Sequence, residues 1–422
     1  MQLDDTRPDT CWSRAILLVD MNAFFCSVEQ IDHPELQGVP IGITNGAQGT
    51  CIITSSYEAR TFGVRTGMRL KEAQRLCPGF RQVPANPQRY AEISSRIMKA
   101  LAEITPDLEI FSVDEAFLDV THCQRLLGTP QQIAHQVKRA VSEASGGMVC
   151  SVGVSGDKTT AKYAAKRQKP NGLTLIPPSQ ARTTLAEIPV TELCGIARGI
   201  GRYLAERGVY TCGDMQRLPI GEIGRRFGNP GRRIWLMAQG LDPEPVQTDV
   251  DAPKSIGHGK VMPPNTRDRE IIDTFLLHMT EKVAARLRLH QFRASHFYIG
   301  LRLEGGFLSR KYRCEPPTDH GPDILAMCED LLNNHWAGEG CFQVQVTALD
   351  PKPTGYQRDL LKPAQQQRER LDQAMDEVNQ RYGEFTLAPT RLLGRSKMPN
   401  VIAPAWKPFG HRETILMNHS ES

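Results

Sequence analysis

AILLVD (residues 15–20) and LEIFSVDEAFLDV (residues 108–120) decide how this chain is read. The first is an apolar run that stops on an acid, the pattern of a buried strand with one end at a surface. The second has two apolar stretches separated by polar residues and reads as a hairpin. Placed side by side in one sheet, they collect Asp20, Asp114 and Glu115 at one edge. Carboxylates from two neighbouring strands suit a pair of hard divalent cations that share a phosphate, Mg²⁺ rather than Zn²⁺. Consecutive strand residues point to opposite faces, so Asp114 and Glu115 both reach such cations only if the chain bends at Ser112 to Val113. Any one of these acids, taken singly, is more often a solvated strand end.

Outward from these strands, Pro40 to Thr44 and the run CII read as two further short strands, and TSSYEARTFGV as a helix start with a capping box between Ser55 and Glu58. Tyr57 and Arg60 lie three apart and share a face of that helix. Its free N–H groups favour phosphate. A helix is expected from Arg89 to Ile104, ended by Pro106, and another from about Thr160 to Arg167 between the strands MVCSVGVS and LTLI. Lys169 follows in a Pro-Asn-Gly turn that can aim its ammonium at the same phosphates, and Phe24 and Phe25 offer a ring to a sugar. The result is an α/β unit with a mixed sheet, interrupted between Asp20 and about Ala85 by an inserted subdomain.

From Pro178 to Gln247 the strand signal gives way to short helices punctuated by glycine. After a Pro- and Asp-containing linker, Phe297, Ile299, Leu301 and Leu303 alternate with polar residues, as do Phe342, Val344, Val346 and Ala348. With helices over Glu270 to His290 and Asp323 to Asn334, they predict a small sheet-plus-helices domain. A polar helix over Gln365 to Arg381 carries the apolar stripe Leu371, Ala374, Met375, Val378 and Tyr382, expected to pack on that domain, and a Pro-rich tail follows.

The 422 residues allow two to four domains, at roughly 100–200 residues each. Fifty-one Lys and Arg against 47 Asp and Glu leave a net charge of +4, too balanced to advertise nucleic acid, so any basic patch is local. One exists between Glu281 and Arg313, where Lys282, Arg286, Arg288, Arg293, Arg302, Arg310, Lys311 and Arg313 face only Glu281 and Glu304. No run approaches the ~20 apolar residues of a membrane span, and the acidic, polar start does not read as a signal peptide. A cytoplasmic protein with no membrane partner is expected. Eleven scattered cysteines without a C-x-x-C pair are read as reduced thiols.

The segments VDMNAFFCSVEQ, TSSYEARTFGVRTGM, FSVDEAFLDV, SVGVSGDKTTAKYAAKRQKPNG and KSIGHGK, in this order, resemble the Y-family translesion DNA polymerases of bacteria, of the polymerase IV and polymerase V catalytic-subunit type, over about residues 13–353. The resemblance implies an α/β (α+β) multidomain right hand: a ferredoxin-like palm (13–30 and 86–177), fingers (31–85), a helical thumb with a helix-hairpin-helix (178–247), an α/β little finger (253–353) and a tail (354–422). It implies template-directed, low-fidelity addition of dNTPs to primer-template DNA with two Mg²⁺ ions, Mn²⁺ being able to substitute.

By the same resemblance Asp20, Asp114, Glu115 and the Met21 carbonyl bind metal, Phe25 is the steric gate against ribose, and Thr54, Tyr57, Arg60 and Lys169 hold the triphosphate. Asn22 stands where the family often has Asp; because that position is no metal ligand, little cost is expected. In the thumb two hairpin registers compete for a DNA phosphate, Gly195-Ile196-Ala197, which keeps the usual spacing, and Gly199-Ile200-Gly201, which keeps the usual glycines. Lys254 and Ser255, with Arg302, Arg310, Lys311 and Arg313, are expected along the DNA backbone. Gln357-Arg358-Asp359-Leu360-Leu361 resembles a peptide that docks on a sliding clamp, and damage-response regulators are further expected partners. The alternative from another class is a non-catalytic accessory subunit of a mutagenic complex. Retention of all three carboxylates speaks against it.

Overall fold

The apolar run at the start of the chain is a strand, β1 (Ile16–Met21), buried along its whole length. The computed structural model describes residues 3–47, 49–249, 252–354 and 363–394. They divide into two units near residue 250. After β1, the first unit contains β2 (Ile41–Thr44), β3 (Ile52–Ser55), β4 (Arg81–Pro84), β5 (Leu108–Ile110), β6 (Glu115–Asp119), β7 (Cys150–Ser155) and β8 (Leu173–Leu175). Its helices are α1 (Phe24–Asp32), α2 (Tyr57–Thr61), α3 (Leu70–Leu76), α4 (Pro87–Ala102), α5 (Gln124–Leu127), α6 (Pro130–Ser145), α7 (Lys158–Arg167), α8 (Ala181–Leu185), α9 (Arg198–Ala205) and α10 (Ile220–Met237).

The central sheet has the order β5-β6-β1-β7-β8. The first four of these strands, with α4 and α6 as crossovers, make two interleaved βαβ units, the ferredoxin-like arrangement; β8 adds a parallel strand at the edge. Strand alternation divides the side chains. Leu17, Val19, Ala116, Leu118, Val152 and Val154 join Ile93, Ile97, Ile133 and Val137 in the main core under α4 and α6. Full burial of each Val, Leu or Ile there is worth about 1.5–3 kcal/mol. Ile16, Leu18 and Phe117 face the other way and are covered by Ala161 and Ala165 of α7. That second face carries Asp20 and Glu115.

The inserted subdomain is a three-stranded sheet, β3-β2-β4, carrying α2 and α3. The cap of α2 is Ser56 and not Ser55: Ser56 Oγ accepts the Ala59 N–H, while Ser55 Oγ turns back to the Val64 carbonyl. The capping-box spacing selected the wrong one of two adjacent serines, because β3 runs through Ser55 and keeps it in a ladder with Gly42. The helical module holds its own apolar cluster around Leu204, Val209, Met215 and Ile234. It is tied to the central sheet at the start of α7, where Thr159 donates to Asp242, whose carboxylate also pairs with Arg233 at 2.8 Å, and Lys158 pairs with Glu244 at 3.6 Å.

The second unit pairs β9 (Ser255–Thr266), β10 (Phe292–Leu303), β11 (Gly306–Thr318) and β12 (Cys341–Leu349) in the order β11-β10-β12-β9, with a short β13 (Lys352–Pro353) beside β10. One face is packed by α11 (Arg269–Leu289) and α12 (Gly321–Asn334) against Phe297, Ile299, Leu301, Val344, Val346 and Ala348. Phe342 is not in this row. A register shift between Cys341 and Gln343 puts Cys341 into the core instead. A third helix, α13 (Pro363–Tyr382), follows.

Candidate active site

One residue before the end of β1, Asp20 lies directly opposite Glu115 of β6 on one side and Ser151 of β7 on the other. Side chains opposed in this way lie about 5 Å apart at Cβ on one face, so the two carboxylates are neighbours by register alone. Asp114 joins them through the expected bend. The chain turns at Ser112, Val113 and Asp114, the Phe111 and Ser112 N–H groups both donate to the Glu115 carbonyl, and the Asp114 carbonyl accepts the Met21 N–H at 2.9 Å. Val113 is drawn into the core and its carbonyl accepts Ser94 Oγ. The Asp114 carboxylate accepts Ser112 Oγ at 2.6 Å.

Burial pushes the Asp20 carboxyl up to about 7, with Glu115 and Asp114 adding to the rise and Lys169 opposing it. Burial also raises Asp114. Two lysines offset the crowded negative charge: Lys169 Nζ is 2.5 Å from Asp20, and Lys162 Nζ of α7 is 2.8 Å from Glu115 while lying over the Phe111 ring. Lys162 was not anticipated from sequence. Among the described residues no three acidic, His or Cys side chains already converge as a closed metal cage. The donor set is oxygen alone, which fits a hard cation.

Phe25 and Phe24 part company at the start of α1, since neighbours on a helix point about 100° apart. Phe24 is 3% exposed and packs in the main core, so it does not offer its ring to a sugar as expected; Phe25 is only partly buried, at the margin of that core. The Phe25 ring stacks on Tyr90 with centroids 4.4 Å apart, and the fully buried Tyr90 is fixed by donating its hydroxyl to Glu29 at 2.6 Å. In the inserted sheet Thr54 is half-buried on β3, and Arg60 spreads over the Tyr57 ring while its Nε donates to the Ser55 carbonyl. Tyr57 Oη is buried without a partner among the described residues, an orphan polar atom that suits a phosphate.

In the helical module the turn falls at Cys194 and Gly195, the latter with φ 89°, and Ala197 caps α9; Gly199 and Gly201 lie inside that helix, where a Cβ on Gly201 would meet Thr191 at 2.8 Å. The left-handed φ explains glycine at 195. A cleft of about 780 Å³ is lined by Gly195, Ile200, Arg232, Phe111 and Lys162.

The second unit corrects the view of its basic patch. Lys282, Arg288 and Arg293 are engaged by the C-terminal segment: Arg288 holds Asp376 through two bonds of 2.6 and 2.8 Å, Arg293 holds Glu369, and Lys282 holds Glu384. His320 adds a contact to Asp372. The helix α13 therefore docks by its acids. Of the expected apolar stripe only Met375 and Val378 are half-buried, while Leu371, Ala374 and Tyr382 are exposed. The face of the sheet away from α11 and α12 carries Ser255, Arg302, Lys311 and Arg313, all exposed, with Lys254 just before it. Arg310 alternates to the other side and lies near His335. Gln357, Asp359, Leu360 and Leu361 lie outside the described residues.

The chain matches the model of the impB/mucB/samB family over residues 19–166 and that of the family's C-terminal domain over residues 253–361. It is 37% identical to DNA polymerase IV of Moorella thermoacetica over 379 residues, 88% of this chain and 94% of that protein. It is 32% identical to DNA polymerase IV of Yersinia enterocolitica over 80% of this chain and 97% of that one. Among solved structures, a Y-family DNA polymerase chimera superposes with a TM-score of 0.70 at 26% identity, over 80% of this chain and 99% of that one.

Proposed function

From the premise that this chain belongs to the impB/mucB/samB family of Y-family DNA polymerases, we propose how its residues carry out translesion synthesis. The activity is DNA-directed DNA polymerisation; the accessory-subunit reading is not favoured. The central sheet acts as the palm, the inserted sheet as fingers, the helical module as thumb and the second unit as little finger. The observation that carries the site assignment is the register that sets Asp20 opposite Glu115, with Asp114 folded beside them.

Two divalent cations, Mg²⁺ or Mn²⁺, held by Asp20, Asp114, Glu115 and the Met21 carbonyl, would supply the charge that acidifies a primer 3′-hydroxyl and neutralises a leaving pyrophosphate. Lys169, Arg60, Tyr57 and Thr54 bind and orient the triphosphate. Phe25, backed by Tyr90, occupies the space a ribose 2′-hydroxyl would need. Gly195 and Ala197 present backbone N–H groups to a DNA phosphate, supported by the turn at Gly195; this favours the first register over Gly199 and Gly201, which sit within α9. Lys254, Ser255, Arg302, Lys311 and Arg313 follow the duplex backbone without reading sequence. Gln357–Leu361 docks on a sliding clamp, and damage-response regulators are further proposed partners.

Among the described residues, no helix is long and apolar enough to cross a membrane. The decisive experiment is primer extension with Mg²⁺ and four dNTPs, comparing wild type with Asp114→Ala plus Glu115→Ala. Extension by wild type alone is expected. Equal extension by both would remove the carboxylates from the mechanism.

A further inference from the structure

Asn22 lies two residues beyond Asp20 and is 1% exposed. Its backbone is held at both ends, the N–H by the Val149 carbonyl and the carbonyl by Ser27 Oγ. The side-chain amide is therefore on a fixed base. Asn22 Oδ1 accepts the Asn171 N–H at 2.7 Å, and Nδ2 donates to Ser151 Oγ at 3.0 Å. Ser151 Oγ in turn accepts the Gly172 N–H.

Asn171 and Gly172 close the turn that carries Lys169. That turn is tight: Asn171 has a left-handed φ of 57°, and a Cβ on Gly172 would lie 1.9 Å from the Gln168 carbonyl oxygen. From α6, Lys138 Nζ donates to the Asn171 carbonyl at 2.5 Å and to the Cys150 and Gly172 carbonyls at 3.2 Å. The turn is thus gripped from two sides, and one grip comes from the strand end that bears Asp20. The Asn22 side chain links the strand end that bears Asp20 to the turn that bears Lys169.

We propose that Asn22 is a positioning residue for Lys169: its amide, braced by Ser151, clasps the Asn171 N–H and so aims the Lys169 ammonium toward Asp20 and the nucleotide triphosphate. This rests on the reading of Lys169 as a phosphate ligand. A neutral amide provides the acceptor without adding a fourth carboxylate to a buried acidic site. Position 22 is then not an idle departure from the family's Asp, since either residue can accept the Asn171 N–H, with the Ser151 hydroxyl reversing its role from acceptor to donor toward a carboxylate.

The test is equilibrium binding of the complementary dNTP, with Ca²⁺, to the full chain on a dideoxy-terminated primer-template, so that no chemistry occurs. Asn22→Leu has the volume without the acceptor and is expected to weaken binding about tenfold, the effect of losing one well-placed hydrogen bond in a buried turn. Asn22→Asp is expected to stay within about threefold of wild type by the same accounting. Lys169→Ala weakens binding, and Asn22→Leu added to Lys169→Ala weakens it no further, because both act through one ammonium. If Asn22→Leu fails to fold by calorimetry, Ser151→Ala, which removes the brace on the amide and the acceptor of the Gly172 N–H in the same turn, is expected to weaken binding in the same direction and to lose that effect in the Lys169→Ala background. Asn22→Leu (or Ser151→Ala) binding like wild type while Lys169→Ala binds weakly would overturn the positioning role alone. An undiminished effect in the Lys169→Ala background would do the same. Lys169→Ala binding like wild type would overturn both this role and the reading of Lys169.

Discussion

Lowering the pH from 8 to 6 is expected to reduce the stabilisation that the first unit gains from a divalent cation. The Asp20 carboxyl titrates at about 7 because it is buried beside Glu115 and Asp114. A cation needs the ionised form, so proton and cation compete. With that titration point Asp20 is about nine-tenths ionised at pH 8 and about one-tenth at pH 6, a tenfold drop in apparent affinity or about 1.4 kcal/mol of linked stability when the cation is in excess. For a unit of this size that corresponds to a Tm gain smaller by about 3–6 °C at pH 6. The sign in the cation-free protein is opposite to the usual carboxylate case. The native state holds its proton above the unfolded value of 3.8, so stability falls as pH rises from about 4 to about 7 and is then level. Calorimetry with and without Ca²⁺ at the two pH values measures both effects. Asp20→Asn should abolish the pH dependence of the Ca²⁺ gain. An equal gain at pH 6 and 8 in wild type would refute the burial-based account of Asp20.

Phe25→Ala should admit ribonucleotides while deoxynucleotide incorporation stays measurable; unchanged sugar discrimination in single-nucleotide incorporation would remove Phe25 as the gate. Asp376→Asn leaves the largely buried Arg288 without its bidentate partner and should destabilise the second unit by about 1–3 kcal/mol in urea unfolding. No change would show that α13 adds nothing to that unit. Deleting Gln357 to Leu361 should abolish clamp-stimulated synthesis and spare basal synthesis, and equal loss of both would argue for misfolding in place of clamp docking.

The strands and acids of the first unit were legible because they rest on short-range rules. Alternation put Asp20 on the face opposite Leu17 and Val19, and the demand for a bend before Glu115 followed from the same rule. Cross-chain matters were less legible. That Lys162 reaches Glu115 depends on how α7 lies across the sheet, and that Asn22 meets Asn171 depends on residues 149 apart in sequence. In the second unit, charge counting found eight basic residues but could not know that two of them are occupied by acids of α13 and a third by Glu384 just after it. Helix α6 was missed although Thr129, Pro130 and Gln132 form a capping box with proline in the first turn, a signal that local reading could have used.

The same uneven legibility says where the chemistry of this chain is most constrained. Three carboxylates crowded into a partly buried pocket repel one another, and the fold answers with one lysine on Asp20 and one on Glu115. Under the proposed function these two lysines have different fates. Lys169 sits on a turn beside Asp20 and must leave that carboxylate to reach a triphosphate, which frees Asp20 when the nucleotide arrives with its cation. Lys162 sits within a regular helix, its amine over the Phe111 ring, and has little reason to move. A lysine that changes partners needs a turn that holds its backbone still while the side chain swings. That is the task to which the Asn22 and Lys138 hydrogen bonds are suited, since they fix Asn171 and Gly172 and leave the Lys169 side chain to its ion pair alone.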